Sequence, residues 1–387
     1  MSVEDLSESK TQAHEPLLDS DARILTSSAE HRASDEMDVV STCENRRYPT
    51  WHLLLRFAAL AVCFLLLLWT MGRLLTLRPE KPKDCVNGSI LQWRREWRSL
   101  KSAEQIDYVS AVQCLLKTPS KLNTGHTGLT HWYDFTWAHY NIGNVAHGAA
   151  NFLSWHRWFI ALFEQSLRKE CHYTGPLPYW DWTLDWQHPE KSAVFDPETG
   201  FGGNGNPSIP SAVNEGWCVT DGPFAGLRVP FDYDAVAGSR GLFDSANDKS
   251  FCLSRKFGQG STFNASHLNP VVVSDILSEK RYIRFLAGLE FGPHNDIPFG
   301  IGGSFKSLYA PADPIFWLHH IQLDRLWWIW QQRAPGNAEA YDGPSTSKSP
   351  NVSATLDDHL SFGGLSEDVS VRDIIDTQGG RLCYRYQ

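Results

Sequence analysis

Imidazole is a common ligand for transition metals, and two stretches of this chain supply it in clusters that suit such a site. In WAHYNIGNVAHGAANFLSWHRWF three histidines, His139, His147 and His156, fall within 18 residues. His147 precedes a Gly/Ala-rich turn and His156 opens an amphipathic helix, so adjacent elements deliver three imidazoles into Trp- and Phe-rich surroundings. Three separate capping or core histidines is the plainer reading of the same residues. The second group is His294 with His319 and His320. His320 and Asp324 stand four apart on one helix, where a carboxylate can orient an imidazole. Arg325 follows at once, so a surface Asp324–Arg325 pair is the alternative. Other histidines look unspecialised: His14, His31 and His52 lie near the N-terminus. His126, His131, His172, His188, His267 and His359 lie in polar surroundings that suit solvated positions.

These side chains need elements to carry them. Gln92–Leu116 has helical periodicity, with Ser102 and Glu104 near a plausible helix start. His156–Glu170 reads as a second helix and Leu318–Arg333 as a third. Gly200–Ala225, rich in Gly, Pro, Asn and Ser, reads as a long loop. No internal repeat and no hairpin ladder stands out. The expected body, residues 84–387, is a mainly α helical bundle with long loops, in which facing helices grip a cofactor.

The chain has 387 residues, 42% of them hydrophobic and 20% charged, with 16 tryptophans. A net charge of −9 leaves no basic stripe for phosphates, which excludes nucleic acid as a partner. Residues 1–50 hold eleven acids against five Lys/Arg and no apolar periodicity, the composition of a disordered tail. Residues 51–77 follow as an apolar run with no charge between Phe57 and Gly72, long enough for one transmembrane helix. Arg46, Arg47 and Arg56 before it and Arg73, Arg78, Lys81 and Lys83 after it leave orientation undecided by charge. Three sequons, at Asn87, Asn264 and Asn351, lie after the run, as do Cys85, Cys114, Cys171, Cys218, Cys252 and Cys383. They predict a single-pass type II protein with its tail in the cytosol and a glycosylated, disulfide-bonded body in the secretory lumen or outside; connectivity is not deducible.

The body resembles the tyrosinases and catechol oxidases, enzymes with a binuclear type 3 copper centre. The likeness runs through REWRSL…YVSAVQCL, HG…NFLSWHRWF, LPYWDW, PHN…IGG, APADPIFWLHHIQLDRLWWIWQ and the closing GGRLCYRY. It is similar to short ascomycete members, among them enzymes of ustiloxin-type cyclic peptide biosynthesis. The resemblance implies two copper ions, with His139, His147 and His156 on copper A and His294 and His320 on copper B. It implies that Phe152 packs on the copper A imidazoles, that His319 lies behind the ligands, and that Glu290 and Asn295 hold a water that helps deprotonate a phenol.

Three positions depart from the family pattern. The histidine expected four residues after His294 is Pro298, which cannot ligate; Asp296, His319 or a solvent oxygen are the candidates to complete the sphere. Proline also disturbs a helix interior, so the local helix must be altered or begin near this point. Val145 stands where a cysteine would form a Cys–His thioether. Nothing after Tyr386 is long enough for a C-terminal shielding domain. The expected function is a copper-dependent oxidase or monooxygenase that uses O2 on phenols, including a peptidyl tyrosine. Two alternatives remain: a copper- or oxygen-binding accessory protein with an incomplete copper B site, and a membrane-anchored scaffold.

Overall fold

The computed structural model describes residues 58–66, 85, 90–122, 129–230, 250–258 and 265–387. The chain divides between Pro79 and Glu80. Residues 1–50, most of the expected membrane run 51–77, and the sequons Asn87 and Asn264 lie outside the described residues. Residues 58–66 are helical and exposed. Among the described residues no helix is long and apolar enough to cross a membrane. Asn351 is exposed on the short strand Ser349–Ser353.

Seven α-helices are described in the body: α1 (Ser102–Leu115), α2 (His131–Asn141), α3 (Asn151–Cys171), α4 (Pro270–Ser278), α5 (Tyr282–Leu289), α6 (Asn295–Ile301) and α7 (Ile315–Arg333). Long loops and two-residue strand pairings join them. Helix α3 begins five residues before the expected His156, so that His156 sits in its second turn. Asn151–Glu164 are all buried, which makes the first half of α3 a central core helix rather than an amphipathic surface one. Helix α7 is likewise buried along most of its length. The two pack through aromatic rings: Trp317 stacks on Phe163 at 3.7 Å between centroids and on Phe159 at 5.1 Å.

The single helix expected over Gln92–Leu116 is instead a strand, β1 (Gln92–Glu96), a short 3-10 turn and then α1. Helix α1 does start at Ser102, where the Glu104 carboxylate reaches back to the Lys101 N–H. β1 is the centre of a three-stranded parallel sheet between β2 (Pro178–Tyr179) and β3 (Tyr384–Tyr386). Alternation along β1 puts Arg94 on the inward face, fully buried. There it donates to Glu164 at 2.9 Å, Asp324 at 3.1 Å and the Tyr386 hydroxyl at 3.0 Å, and lies 3.4 Å over the Tyr384 ring.

The six cysteines of the body pair as Cys85–Cys383, Cys114–Cys171 and Cys218–Cys252. The first ties the start of the body to the strand that ends it, and the second joins the C-terminal ends of α1 and α3.

Candidate metal centre

Four elements converge on the histidines. His139 lies in the last turn of α2, His147 in the loop before α3, and His156 inside α3. Their Nδ1–H groups donate to backbone carbonyls, of Leu308 at 2.6 Å, Gly143 at 2.7 Å and Phe152 at 2.7 Å respectively. A carbonyl only accepts, so the proton is on Nδ1 and Nε2 carries a free lone pair. The Nε2 atoms of His139 and His156 are buried without any partner. Buried imidazole nitrogens normally have one. One candidate ligand atom from each of these three rings lies within 4.8 Å of the others. Some point is therefore no more than about 2.8 Å from all three, and small side-chain shifts reach a metal–imidazole bond of about 2.1 Å.

His294, His319 and His320 form a second such group within the same 4.8 Å limit. His294 is the last residue of a π-turn, Glu290–His294, that lies between α5 and α6 and has a non-helical Gly292. Its Nδ1–H faces the Asn295 Oδ1 at 3.1 Å and the Glu290 carbonyl at 3.3 Å. His319 and His320 come from α7. The two groups face one another directly: His156 stacks on His320 at 4.4 Å and 14°, and His147 meets His294 at 5.7 Å. Phe152 packs on His147 and His156 as expected, and at 4.7 Å against His294 as well.

Removal from water lowers the basicity of all six rings, and neighbouring rings add to it for His139, His156, His294 and His320. His139 falls to about 3, with His147 adding to the effect, and His319 falls to about 3. His147, His156, His294 and His320 shift in the same direction. All six are neutral at physiological pH, as ligands must be. The donor set is nitrogen only and suits copper or zinc; it fits the expected pair of copper ions.

Glu290 is buried, and one carboxylate oxygen accepts the Gly148 N–H at 2.6 Å while the other has no partner. Burial pushes its pKa up to about 7, partly offset by that hydrogen bond. The bond pins the His147 loop to the π-turn, which carries both Glu290 and His294. A cavity of about 290 Å³ opens onto the histidines, lined by His139, His147, His294, His320, Asn295 and Pro298 among others. Pro298 and the exposed Phe299 thus stand on its wall. A second cavity of about 820 Å³ shares Phe299, Lys306 and Ser307 with it.

The chain matches the family description "Common central domain of tyrosinase" over residues 129–333, which include all six histidines. The chain belongs to the tyrosinase family. It is similar to the tyrosinase-like protein phomQ1 of Diaporthe leptostromiformis, at 39% identity over 86% of this chain and 84% of that one. It is also similar to the tyrosinase ustQ of Aspergillus flavus, at 39% over 78% and 80%. Among solved structures it resembles a polyphenol oxidase (mutant G292N) of Thermothelomyces thermophila, at 29% identity and a TM-score of 0.66 over 82% of this chain and 93% of that one. This tyrosinase-family chain is thus a type 3 copper oxidoreductase by class.

Four expectations about its residues need correction. Asp324 orients no imidazole and does not pair with Arg325. It is buried behind the ligands, accepting from Arg157 Nε at 2.6 Å, Arg94 at 3.1 Å, the Tyr384 hydroxyl at 2.6 Å and the Tyr386 hydroxyl. Arg325 pairs with Asp181 instead. Asp296 is directed to His267 at 2.9 Å, which takes it from the candidates for copper B. His131 is buried, not solvated, and bridges Asp134 at 2.8 Å to Ser166 at 2.9 Å. His319, expected behind the ligands, stands inside the second histidine group. An unbroken HH pair does not say which ring a third element will approach. The Arg94–Arg157–Asp324 cluster had a trace only in the charges scattered through otherwise apolar motifs.

Proposed function

We propose that this chain is a copper-dependent oxidase that uses O2 on a phenol carried by a larger molecule, a tyrosine-containing peptide being the substrate class it suits. The observation that carries this reading is the face-to-face pair of imidazole groups at the floor of one cavity, with buried ring nitrogens left unpaired. Copper bound there supplies redox chemistry with O2. The chain's own residues do the rest. His139, His147 and His156 hold one ion, and His294 and His320 share the other. Phe152 fixes rings of both groups. Glu290, poised near neutrality, accepts the phenol proton through water, and Asn295 holds the His294 ring by its Nδ1–H. A cavity of about 290 Å³ is the right scale for a phenol ring, and its junction with the 820 Å³ cavity at Phe299 leaves room for attached residues.

The test is to load the full chain with copper and measure metal per chain and O2 uptake with free phenols and tyrosyl peptides. Two coppers and faster uptake with peptides support the reading. Two coppers with no uptake on any phenol favours the second reading, a copper- or oxygen-binding accessory protein, for which Pro298 at a ligand position is the specific support.

The membrane run at 51–77, the disulfides of the body and the exposed sequon at Asn351 support a type II anchor with the body in the secretory lumen. Carbonate extraction checks it: a chain released from microsomes, or one with no glycosidase shift, refutes that placement.

A further inference from the structure

We infer that His319 is the third imidazole of the copper B site, in place of the ligand that Pro298 cannot provide. The inference rests on the binuclear copper reading above and assigns its missing part. Both ring nitrogens of His319 are buried without a hydrogen-bond partner. A fully buried core histidine ordinarily spends its nitrogens on neighbouring polar groups, as His131 does between Asp134 and Ser166. His319 faces rings instead. It lies 5.8 Å from His294 at 22° and 5.2 Å from His320 at 78°, with Phe305 at 6.0 Å and Trp182 at 6.5 Å closing it off from water. A candidate ligand atom of His319 lies within 4.8 Å of one on His294 and one on His320.

Successive helix positions diverge by about 100°, so two adjacent histidines do not ordinarily converge on one ion. Here the convergence depends on the third element. The π-turn sets His294 parallel to His319 and at a steep angle to His320, 5.2 Å away at 72°. Pro298 then matters twice. It removes the regular ligand, and it removes the N–H that an α-helix would aim at the His294 carbonyl. Asp296, the carboxylate nearest Pro298 in the sequence, is engaged by His267. His319 would hold copper B from the core side of α7, and the cavity wall where the regular third imidazole would stand is formed by Pro298 and Phe299, beside His294 and His320.

The experiment uses the full chain and reads copper content, copper affinity and EPR. The native chain is expected to load two coppers. His319→Gln is expected to load one, to show the EPR signal of an isolated Cu(II), and to recover the second copper when Pro298→His is added. Pro298→His alone, a change on the half-buried cavity wall, is expected to leave copper B affinity nearly unchanged. Retention of two coppers by His319→Gln overturns the assignment and points to a solvent ligand. So does a gain of about tenfold or more in copper B affinity from Pro298→His alone, because the native ion would then have been one imidazole short. A native chain that loads a single copper overturns the binuclear reading itself, and this assignment with it.

Discussion

Glu290 and Asp324 are both buried carboxylates, and their surroundings send them in opposite directions. Glu290 has one N–H and no cation beside it, so burial carries its pKa up to about 7. Copper ions nearby would pull it back towards the charged form. Glu290→Gln keeps an acceptor for the Gly148 N–H and therefore keeps copper. It should lower phenol turnover by about 100- to 10,000-fold, the usual contribution of a positioned base. Unchanged turnover at full copper content would remove Glu290 from the reaction. Burial also pushes the Asp324 carboxyl up, but the Arg157 and Arg94 guanidiniums and two tyrosine hydroxyls outweigh it and hold it below the usual range. A carboxylate with a depressed folded pKa stabilises the fold above its unfolded value, near 4, and loses that contribution as pH falls through the folded value. Acid unfolding should therefore set in only below about pH 4, as far as Asp324 governs it. Asp324→Asn leaves the buried Arg157 guanidinium with no carboxylate and Arg94 with Glu164 alone, and should cost about 3–5 kcal/mol in chemical denaturation.

At the scale of elements, the seam between α3 and α7 holds the two metal half-sites in register. Trp317 lies in that seam, stacked on Phe163 and Phe159. Trp317→Ala should cost about 3–5 kcal/mol of stability. It should also lower the second copper's affinity more than the first's, since His319 and His320 follow Trp317 on the same helix; equal loss at both sites would deny that link. Of the helices carrying histidines, α3 and α7 were legible in the sequence because long apolar runs with regular spacing leave little choice of element, whereas α2, which carries His139, was not foreseen. Strand β1 was not. QWRRE reads as polar helix until its inward arginine is matched with Glu164 and Asp324, partners 70 and 230 residues away. The π-turn was foreseen only as a disturbance near Pro298. Its actual site follows from Gly292 and Pro293, where helical backbone fails before Pro298 is reached. The role of Asp324 was misjudged for the same reason as β1: local spacing points along one helix, whereas its partners lie on α3, β1 and β3.

At the scale of the whole molecule, the body is closed on itself. β3 pairs with β1, Tyr384 and Tyr386 reach Asp324 in the core, and Cys383 bonds to Cys85 across 298 residues. A loop this long lies near the top of the disulfide range, so Cys383→Ser should lower unfolding free energy by about 4–5 kcal/mol. A loss below about 1 kcal/mol would show that the strand pairing closes the body unaided. Pairing could not be read from six cysteine positions, because it is the sheet that brings the first and the last together.

That closure also governs how the body responds to proteases. A covalent ring cut once becomes a line, not two pieces. A single nick in the long Gly200–Ala225 loop leaves one molecule of undiminished mass on a non-reducing gel, and separate fragments appear only once thiols are added. Damage at one exposed loop therefore need not release either half of the copper centre from the other.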